Sequence, residues 1–237
     1  MFTFIDLFSG VGGFRIPLES IGGKCIGFSE IDKAAIEVYK NNFQTKNEID
    51  FGDIIKLKKL PKSDLYVGGV PCQAWSVAGK KEGFKDPRGK LWKDCIRIVG
   101  INKPKAFIFE NVKGLYDPRN RSSLELIVNE FKKKGYQVSH KLLNAYDYGL
   151  PQNRDRIFIV GVRKDIKSKF SFPFPSGTPK SLYKLFDDIQ INKSHVIKKR
   201  FLERDLFGER VPASRNRFQK TNELNDFFIF CDTRDGH

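Results

Sequence analysis

The feature that most constrains this chain is a regular alternation of short apolar runs and amphipathic stretches over its first two-thirds. The apolar runs predict strands, and the stretches between them have the spacing of helices that bury one face. Such alternation is typical of an α/β fold, a mostly parallel sheet with helices on both faces. We predict strands at residues 3–7, 24–29, 64–67, 106–109, 138–144 and 156–163, the last two paired. We predict helices at residues 14–21, 32–42, 90–101 and 122–134.

The pattern changes after residue 163. Residues 172–179 (FPFPSGTP) form a Pro/Gly-rich connector, and the residues beyond it are basic and weakly patterned. We therefore divide the chain into a catalytic domain over residues 1–172 and an incomplete second region over residues 173–237.

Charge and cysteine content narrow the class of protein. Lys and Arg number 43 against 28 Asp and Glu, a net charge of +15 that suits a polyanionic partner, although surface charge for solubility would look similar. Cys25, Cys72, Cys95 and Cys231 show no CxxC spacing, so no metal site is expected. Neither a signal peptide nor a membrane-spanning run is visible, so we expect a cytoplasmic protein with no membrane partner.

A glycine-rich loop joins the first strand to the first helix. Residues 4–13 read FIDLFSGVGG, and glycines at such a turn let the backbone approach a ligand closely. Glu30 lies 20 residues after Gly10, at the end of the second strand, where an acidic residue binds ribose hydroxyls in dinucleotide-type sites. The loop lacks the GxGxxG and P-loop patterns that nucleotide phosphates require, which disfavours a dinucleotide-dependent oxidoreductase. Asp32 is expected to cap the next helix.

Three further segments carry reactive side chains. Cys72 lies in the turn GVPCQAWS (residues 69–76), just past a strand, where open α/β sheets do their chemistry; a buried structural cysteine is the commoner alternative for a single Cys. Glu110 follows an apolar strand within FIFENV (residues 107–112). Arg154 and Arg156 in QNRDR share one face if that segment is extended.

In this order and spacing, the four segments resemble the DNA (cytosine-5) methyltransferase family of bacterial restriction–modification systems. The resemblance covers about residues 2–163. It implies a Rossmann-like S-adenosylmethionine-dependent methyltransferase fold, followed by the start of a target-recognition region.

The resemblance implies a site for S-adenosylmethionine, which leaves as S-adenosylhomocysteine. Phe8 would lie against the adenine or the sulfonium, with plain core packing as the alternative. Glu30 would bind the ribose, and Asp53 would contact the adenine amino group or only cap a helix. The implied cofactor-binding residues are Phe8, Ser9, Gly10, Gly12, Gly13, Glu30, Ile31, Asp53, Ile54 and Pro71.

The family's chemistry assigns roles to the reactive side chains. A thiolate from Cys72 would add to carbon 6 of cytosine and make carbon 5 nucleophilic. Glu110 would donate or share a proton near ring nitrogen 3, and Asn111 would hold the Pro71–Cys72 loop by hydrogen bonds to its backbone. Arg156 would bind the carbonyl oxygen at position 2, with Arg154 supporting the Cys72 turn.

A duplex substrate implies that the target base leaves the stack. The basic, glycine-punctuated stretch 76–90 would close over DNA, or it is only a flexible surface loop. The predicted DNA contacts are Gln73, Ser76, Lys80, Lys81, Lys85 and Arg88.

The family's later segments, which complete the recognition region and the cofactor pocket, are not intact here. A truncated enzyme, one subunit of a split enzyme that needs a second polypeptide, and a degraded copy all fit this pattern. An RNA cytosine-5 methyltransferase and a non-catalytic partner subunit remain alternative functions.

Overall fold

The computed structural model describes residues 1–71, 91–175 and 177, and these form one seven-stranded sheet flanked by helices. The strands are β1 (Phe2–Leu7), β2 (Gly23–Ser29), β3 (Ile49–Asp50), β4 (Leu65–Gly69), β5 (Ala106–Val112), β6 (Tyr136–Asn144) and β7 (Asp155–Arg163). The helices are α1 (Arg15–Ser20), α2 (Lys33–Asn42), α3 (Leu91–Asn102) and α4 (Arg121–Lys133).

The strand order across the sheet is β3-β2-β1-β4-β5-β7-β6. The first five strands are parallel, and β7 runs antiparallel to both of its neighbours, β5 and β6. The predicted mostly parallel α/β fold and the pairing of the two late strands are therefore confirmed. Strand β3 was not predicted, because two exposed residues give no periodic pattern.

Helices cover both faces of the sheet, as the alternation predicts. Successive side chains of β1 point to opposite faces: Ile5 belongs to the larger core, under α3 and α4, and Phe4 to a smaller cluster with Leu18 of α1. Trp92 of α3 and Phe131 of α4 are fully buried in the larger core. The predicted buried face of α4 consists of Leu124, Ile127, Val128 and Phe131, all of which are buried.

Strand β5 is longer than the sequence predicts, because it pairs with β7 as far as Val112, opposite Arg156. Glu110 therefore lies inside a paired strand and not in a loop beyond its end. The apolar run stops at Phe109, so hydrophobicity alone does not reveal that the paired strand continues to Val112.

The carboxyl ends of the parallel strands meet at one edge of the sheet, which is where ligands bind in such folds. Because β7 is antiparallel, its first residues reach the same edge. Strands β1 and β4 approach closely here: a Cβ on Gly68 would lie 2.1 Å from the carbonyl oxygen of Leu7. Within the described ranges, no helix combines the length and apolarity needed to cross a membrane.

Candidate functional site

The loop after β1 has an unusual backbone. Phe8 has φ of 54°, Gly10 of 53° and Gly12 of 94°. A positive φ is costly for a bulky residue such as Phe8, and such conformations concentrate at ligand-binding loops. The amide of Ser9 donates to the carbonyl of Ser29 in β2 at 3.1 Å, which ties the loop to the neighbouring strand.

Glu30 holds the first two carboxyl-end loops together. One carboxylate oxygen accepts the amide of Gly10 at 2.9 Å, and the other accepts the amides of Ile31 at 2.7 Å and Asp32 at 3.0 Å. A carboxylate has about four lone-pair positions, so capacity for ribose hydroxyls remains. The predicted capping role of Asp32 is confirmed by its bonds to Ala34 and Ala35.

The loop after β1 leaves open space and, within the part of the chain that the structure describes, unpaired polar groups beside it. A Cβ on Gly10 or Gly13 would meet no atom within 4 Å. The buried hydroxyl of Ser9 has no hydrogen-bond partner among the described residues, and neither does the carboxyl group of Asp6. Orphaned buried polar groups are rare and point to a missing partner. No group of three metal-ligating side chains occurs in residues 1–71 and 91–175.

The sequence analysis gave Asp6 no role, although a charged residue inside an apolar strand was a visible signal. Burial raises the pKa of this carboxyl group well above its usual value, against the opposing effect of Arg15. The neighbouring carboxylate of Glu30 raises it further. Asp6 is therefore a buried carboxyl group without a hydrogen-bond partner among the described residues, two residues before Phe8.

The remaining predicted cofactor residues lie at the same edge but in different environments. Phe8 packs partly against the larger core, so the packing alternative for its ring is real. Ile31 is 71% exposed and Ile54 is buried. Asp53 caps a 3₁₀ turn through the amide of Ile55 at 3.0 Å, which leaves its second carboxylate oxygen for a ligand. Pro71 is half-buried directly after β4.

Strands β4 and β5 place the predicted acid beside the turn that leads to Cys72. Glu110 pairs with Gly69, and its carbonyl accepts the amide of Val70 at 3.1 Å. The buried Asn111 side chain donates to the carbonyl of Val70 at 3.1 Å. This bond lies two residues before Cys72, so the predicted role of Asn111 in holding the Pro71–Cys72 loop stays a prediction.

Glu110 and Arg156 form an ion pair on these strands, with 2.6 Å between Oε1 and Nε. Their side chains are 21% and 24% exposed. Burial raises the pKa of Glu110, and the charges of Arg156 and Arg154 only partly offset this. A carboxyl group whose pKa is raised and which lies beside a cation is a candidate proton donor.

The QNRDR segment (residues 152–156) is hydrogen-bonded to Asn144, the last residue of β6. The Asn144 side chain accepts the amide of Arg154 at 3.3 Å and donates to the carboxylate of Asp155 at 3.0 Å. Lys113 binds the other oxygen of Asp155 at 2.8 Å. Arg154 is exposed, whereas Arg156 points its charge at Glu110. The two arginines thus act on one carboxyl group, as a shared face predicts.

Several predicted site residues lie outside the described residues, so their roles remain predictions. These are Cys72, Gln73, Ser76, Lys80, Lys81, Lys85 and Arg88.

Comparison with known sequences identifies relatives of this chain. A family model described as C-5 cytosine-specific DNA methylase matches residues 2–228. Type II methyltransferase M.HgiCII of Herpetosiphon aurantiacus is 53% identical over 237 residues, which are 99% of this chain and 54% of that protein. Type II methyltransferase M.HhaI of Haemophilus parahaemolyticus is 46% identical over 175 residues, 73% of this chain and 53% of that protein. The chain thus spans about half the length of the curated relatives it matches.

Solved structures agree on the fold. A putative DNA modification methyltransferase encoded in an Escherichia coli prophage is 28% identical with a TM-score of 0.60, over 72% of this chain and 49% of that one. A DNMT2 from Spodoptera frugiperda is 23% identical with a TM-score of 0.68, over 86% of this chain and 64% of that one. From its family-model match and its sequence relatives, the chain belongs to the C-5 cytosine-specific DNA methylases.

Proposed function

We propose that this chain supplies the catalytic portion of an enzyme that transfers a methyl group from S-adenosylmethionine to carbon 5 of a flipped-out cytosine in duplex DNA. Its setting would be a bacterial restriction–modification system in the cytoplasm. The observation that carries the proposal is the Glu110–Arg156 pair, which lies level with the end of β4 and hence beside the turn to Cys72.

The assigned roles follow from the charge that develops on the base. The thiolate of Cys72 adds to carbon 6, which moves negative charge toward ring nitrogen 3 and the oxygen at position 2. Glu110 donates or shares a proton at nitrogen 3, and Arg156 stabilises the oxygen. Burial raises the pKa of Glu110, which favours its protonated form relative to an exposed carboxyl group. Carbon 5 would then take the methyl group that S-adenosylmethionine supplies, and S-adenosylhomocysteine would leave. A base such as water would remove the carbon 5 proton, and the bond between Cys72 and carbon 6 would break, which restores the ring double bond and regenerates the thiolate.

The loop after β1 fits the cofactor that this reaction needs. S-adenosylmethionine supplies an electrophilic methyl group when bound and carries no phosphate. Glu30 would hold its ribose, and Asp53 would meet its adenine. The open space at Gly10 and Gly13 allows close approach of the backbone to the ligand.

The DNA contacts and the domain boundary belong to the same proposal. Gln73 and Ser76 would fill the space left by the extruded base, and the lysines and Arg88 of the stretch 76–90 would bind phosphates. Residues 173–237 would begin the target-recognition region. Because the chain spans about half of its relatives, a second polypeptide or segment would complete the enzyme.

The decisive experiment measures transfer of labelled methyl groups to unmethylated duplex DNA, with structured RNA assayed in parallel. The chain is tested alone and with the polypeptide encoded immediately downstream. Cys72→Ser should abolish transfer, because a hydroxyl is a far weaker nucleophile than a thiolate, and should leave S-adenosylmethionine affinity within about twofold. Duplexes with 5-fluorocytosine should trap a covalent protein–DNA complex, because fluorine cannot leave carbon 5 as a cation.

Each outcome separates the candidates. Label in DNA and a trapped complex that Cys72→Ser abolishes would support the proposal; a requirement for the second polypeptide would indicate a split enzyme. Label only in RNA would favour the RNA methyltransferase. Absence of label in both, with cofactor still bound, would favour a non-catalytic subunit. Joint loss of transfer and cofactor binding in Cys72→Ser would contradict the role given to Cys72.

A further inference from the structure

A buried arginine next to the cofactor loop has no part in the chemistry described above. Arg15 begins α1, two residues after Gly13, and is only 3% exposed. Arginine is seldom buried unless each of its donors finds an acceptor. Its position on the inner side of α1, one turn before the buried Leu18, was the signal in the sequence that this side chain points inward.

The guanidinium group of Arg15 is held by three side chains. It forms a two-pronged pair with Glu48, at 2.7 Å and 2.6 Å, and its Nε binds Glu19 at 2.9 Å. It also donates to the hydroxyl of Tyr39 at 3.3 Å. The Glu48 side chain is only 8% exposed, so this contact is an interior ion pair and not a surface one. Forked pairs of this type fix the distance and the orientation of the two groups.

The same guanidinium group stacks on the aromatic rings that support the glycine loop. Its central carbon lies 4.4 Å from the ring centre of Phe43 and 5.3 Å from that of Tyr39. The Phe43 ring lies directly under the loop, because a Cβ on Gly12 would be 2.2 Å from it. Arg15 therefore helps to fix the position of the Phe43 ring, which packs against the glycine loop at Gly12.

Glu48 carries the connection to the third part of the site. It directly precedes β3, and the chain continues from β3 to the capping residue Asp53. This short segment is also held by the β2 ladder, which includes a 2.8 Å bond from the amide of Phe51 to Phe28, and by the exposed pair of Lys40 and Asp50. The Ser29 hydroxyl donates to the carbonyl of Gly52, and Phe51 packs against the larger core. The Arg15–Glu48 pair adds a buried ionic attachment to the helix that follows the glycine loop.

We propose that Arg15 is a positioning residue for the cofactor site: its pair with Glu48 sets the distance between the glycine loop and the segment that carries Asp53. This inference rests on the proposed function and deepens it, because these two segments would hold opposite ends of the adenosine. Arg15 touches no substrate. It acts through Glu48, Phe43 and Tyr39, and its loss would loosen two loops at once.

The test compares variants that weaken the buried pair with one that breaks the exposed pair nearby. Arg15→Lys keeps the charge but loses the fork and the stacking, and Glu48→Gln keeps the shape but loses the charge. Lys40→Gln is the matched control, since it removes an ion pair that also reaches β3. Two quantities are measured on each chain: hydrogen exchange of individual amides without cofactor, and the Kd for S-adenosylmethionine.

We expect Arg15→Lys and Glu48→Gln each to raise this Kd about tenfold or more, because truncating one side of a buried charge pair is costly. The double variant should have a Kd no higher than that of the weaker-binding single variant, since both substitutions remove the same Arg15–Glu48 interaction. The amides of Ser9, Gly12 and Phe51 should exchange faster, while those of β5 stay protected. Lys40→Gln should change the Kd less than about twofold, as expected for an exposed pair.

The inference fails if Arg15→Lys and Glu48→Gln bind cofactor as well as Lys40→Gln, or if exchange rises equally in β5, which would mean general destabilisation. If Arg15→Lys does not fold, Glu48→Gln decides the matter alone. If the unaltered chain binds no S-adenosylmethionine, either alone or with the polypeptide encoded immediately downstream, the proposed function is contradicted. The exchange data then decide the inference, because they need no cofactor.

Discussion

Replacing Glu110 with glutamine should remove catalysis without weakening the fold. The carboxyl group is one-fifth exposed and is paired with Arg156 at 2.6 Å. Despite this favourable partner, its pKa is raised above its usual 4.5, with burial as the largest cause. The folded protein therefore disfavours the carboxylate relative to the unfolded chain, even with both arginines in place.

The sign of the stability change follows from proton linkage. The folded state binds the Glu110 proton more tightly than the unfolded chain does. The free energy of unfolding therefore declines as pH rises from 4.5 through the raised pKa of Glu110, and above that pKa the full cost of ionising the buried carboxyl group is present. Each unit of the rise corresponds to about 1.4 kcal/mol. Glutamine carries no charge, so Glu110→Gln removes this cost and gives up the ion pair at the same time. In a protein of this size, 1 kcal/mol shifts Tm by about 2–4 °C.

We therefore expect Glu110→Gln to unfold at the same temperature as the unaltered chain, or a few degrees higher, at pH 8. The advantage should shrink toward pH 4.5. Methyl transfer should fall by about 100-fold or more, because a positioned acid contributes about that much. Calorimetry at several pH values measures the first effect and labelled methyl transfer the second. Glu125→Gln is the control, since Glu125 lies exposed on α4 and pairs with Arg121.

Two results would refute this reasoning. A Tm at pH 8 that lies several degrees below that of Glu125→Gln would mean that the Arg156 pair outweighs the cost of burial. Methyl transfer at the unaltered rate would remove the proton-donor role of Glu110, whatever happened to stability. A higher Tm with lost transfer would be the signature of a site that sacrifices stability for reactivity.

Two further predictions concern positions away from this pair. Asp6→Asn should raise the urea midpoint at pH 8 but hardly at pH 4, because burial raises the pKa of Asp6 and makes its ionisation costly. Asp64→Asn should lower the urea midpoint at both pH values and lose this effect only toward pH 2, since Lys105 and Thr3 lower the pKa of Asp64 to about 2 and stability from such a group is lost as pH falls through that value. Gly161→Ala should lower Tm by several degrees, because its Cβ would lie 2.1 Å from the ring of Phe107 and overpacking costs about 1–3 kcal/mol; an unchanged Tm would show that the ring can move.

The sequence predicted the order and type of the long elements because their apolar residues follow a clear period. It also placed the glycine loop, Glu30 and the Glu110 strand correctly at one edge, because carboxyl ends of parallel strands must meet there. The capping role of Asp32 followed from local backbone chemistry. These predictions depend on residues close together in the sequence or on general rules of sheet topology, so they can be made from a single amino-acid sequence.

Polar contacts between residues far apart in the chain could not be predicted from the sequence. Arg15 and Glu48 are 33 residues apart, and Glu48 lies in a polar stretch that looks like an ordinary surface loop. Only the fold brings them together in the interior. Burial in the folded protein is likewise the main cause of the raised pKa of Asp6, although its place within an apolar strand was a hint.

The reversed direction of β7 explains how a rigid acid–base pair forms at this edge. In a purely parallel sheet, only the carboxyl ends of strands reach the edge, and the side chains there belong to loops. Because β7 is antiparallel, Arg156 enters the edge from the start of a strand and lies opposite Val112. Glu110 is then its diagonal neighbour, two positions along β5, which is within reach for long side chains. Both partners are fixed by a continuous ladder, so the pair is set before any substrate arrives, as preorganised catalysis requires.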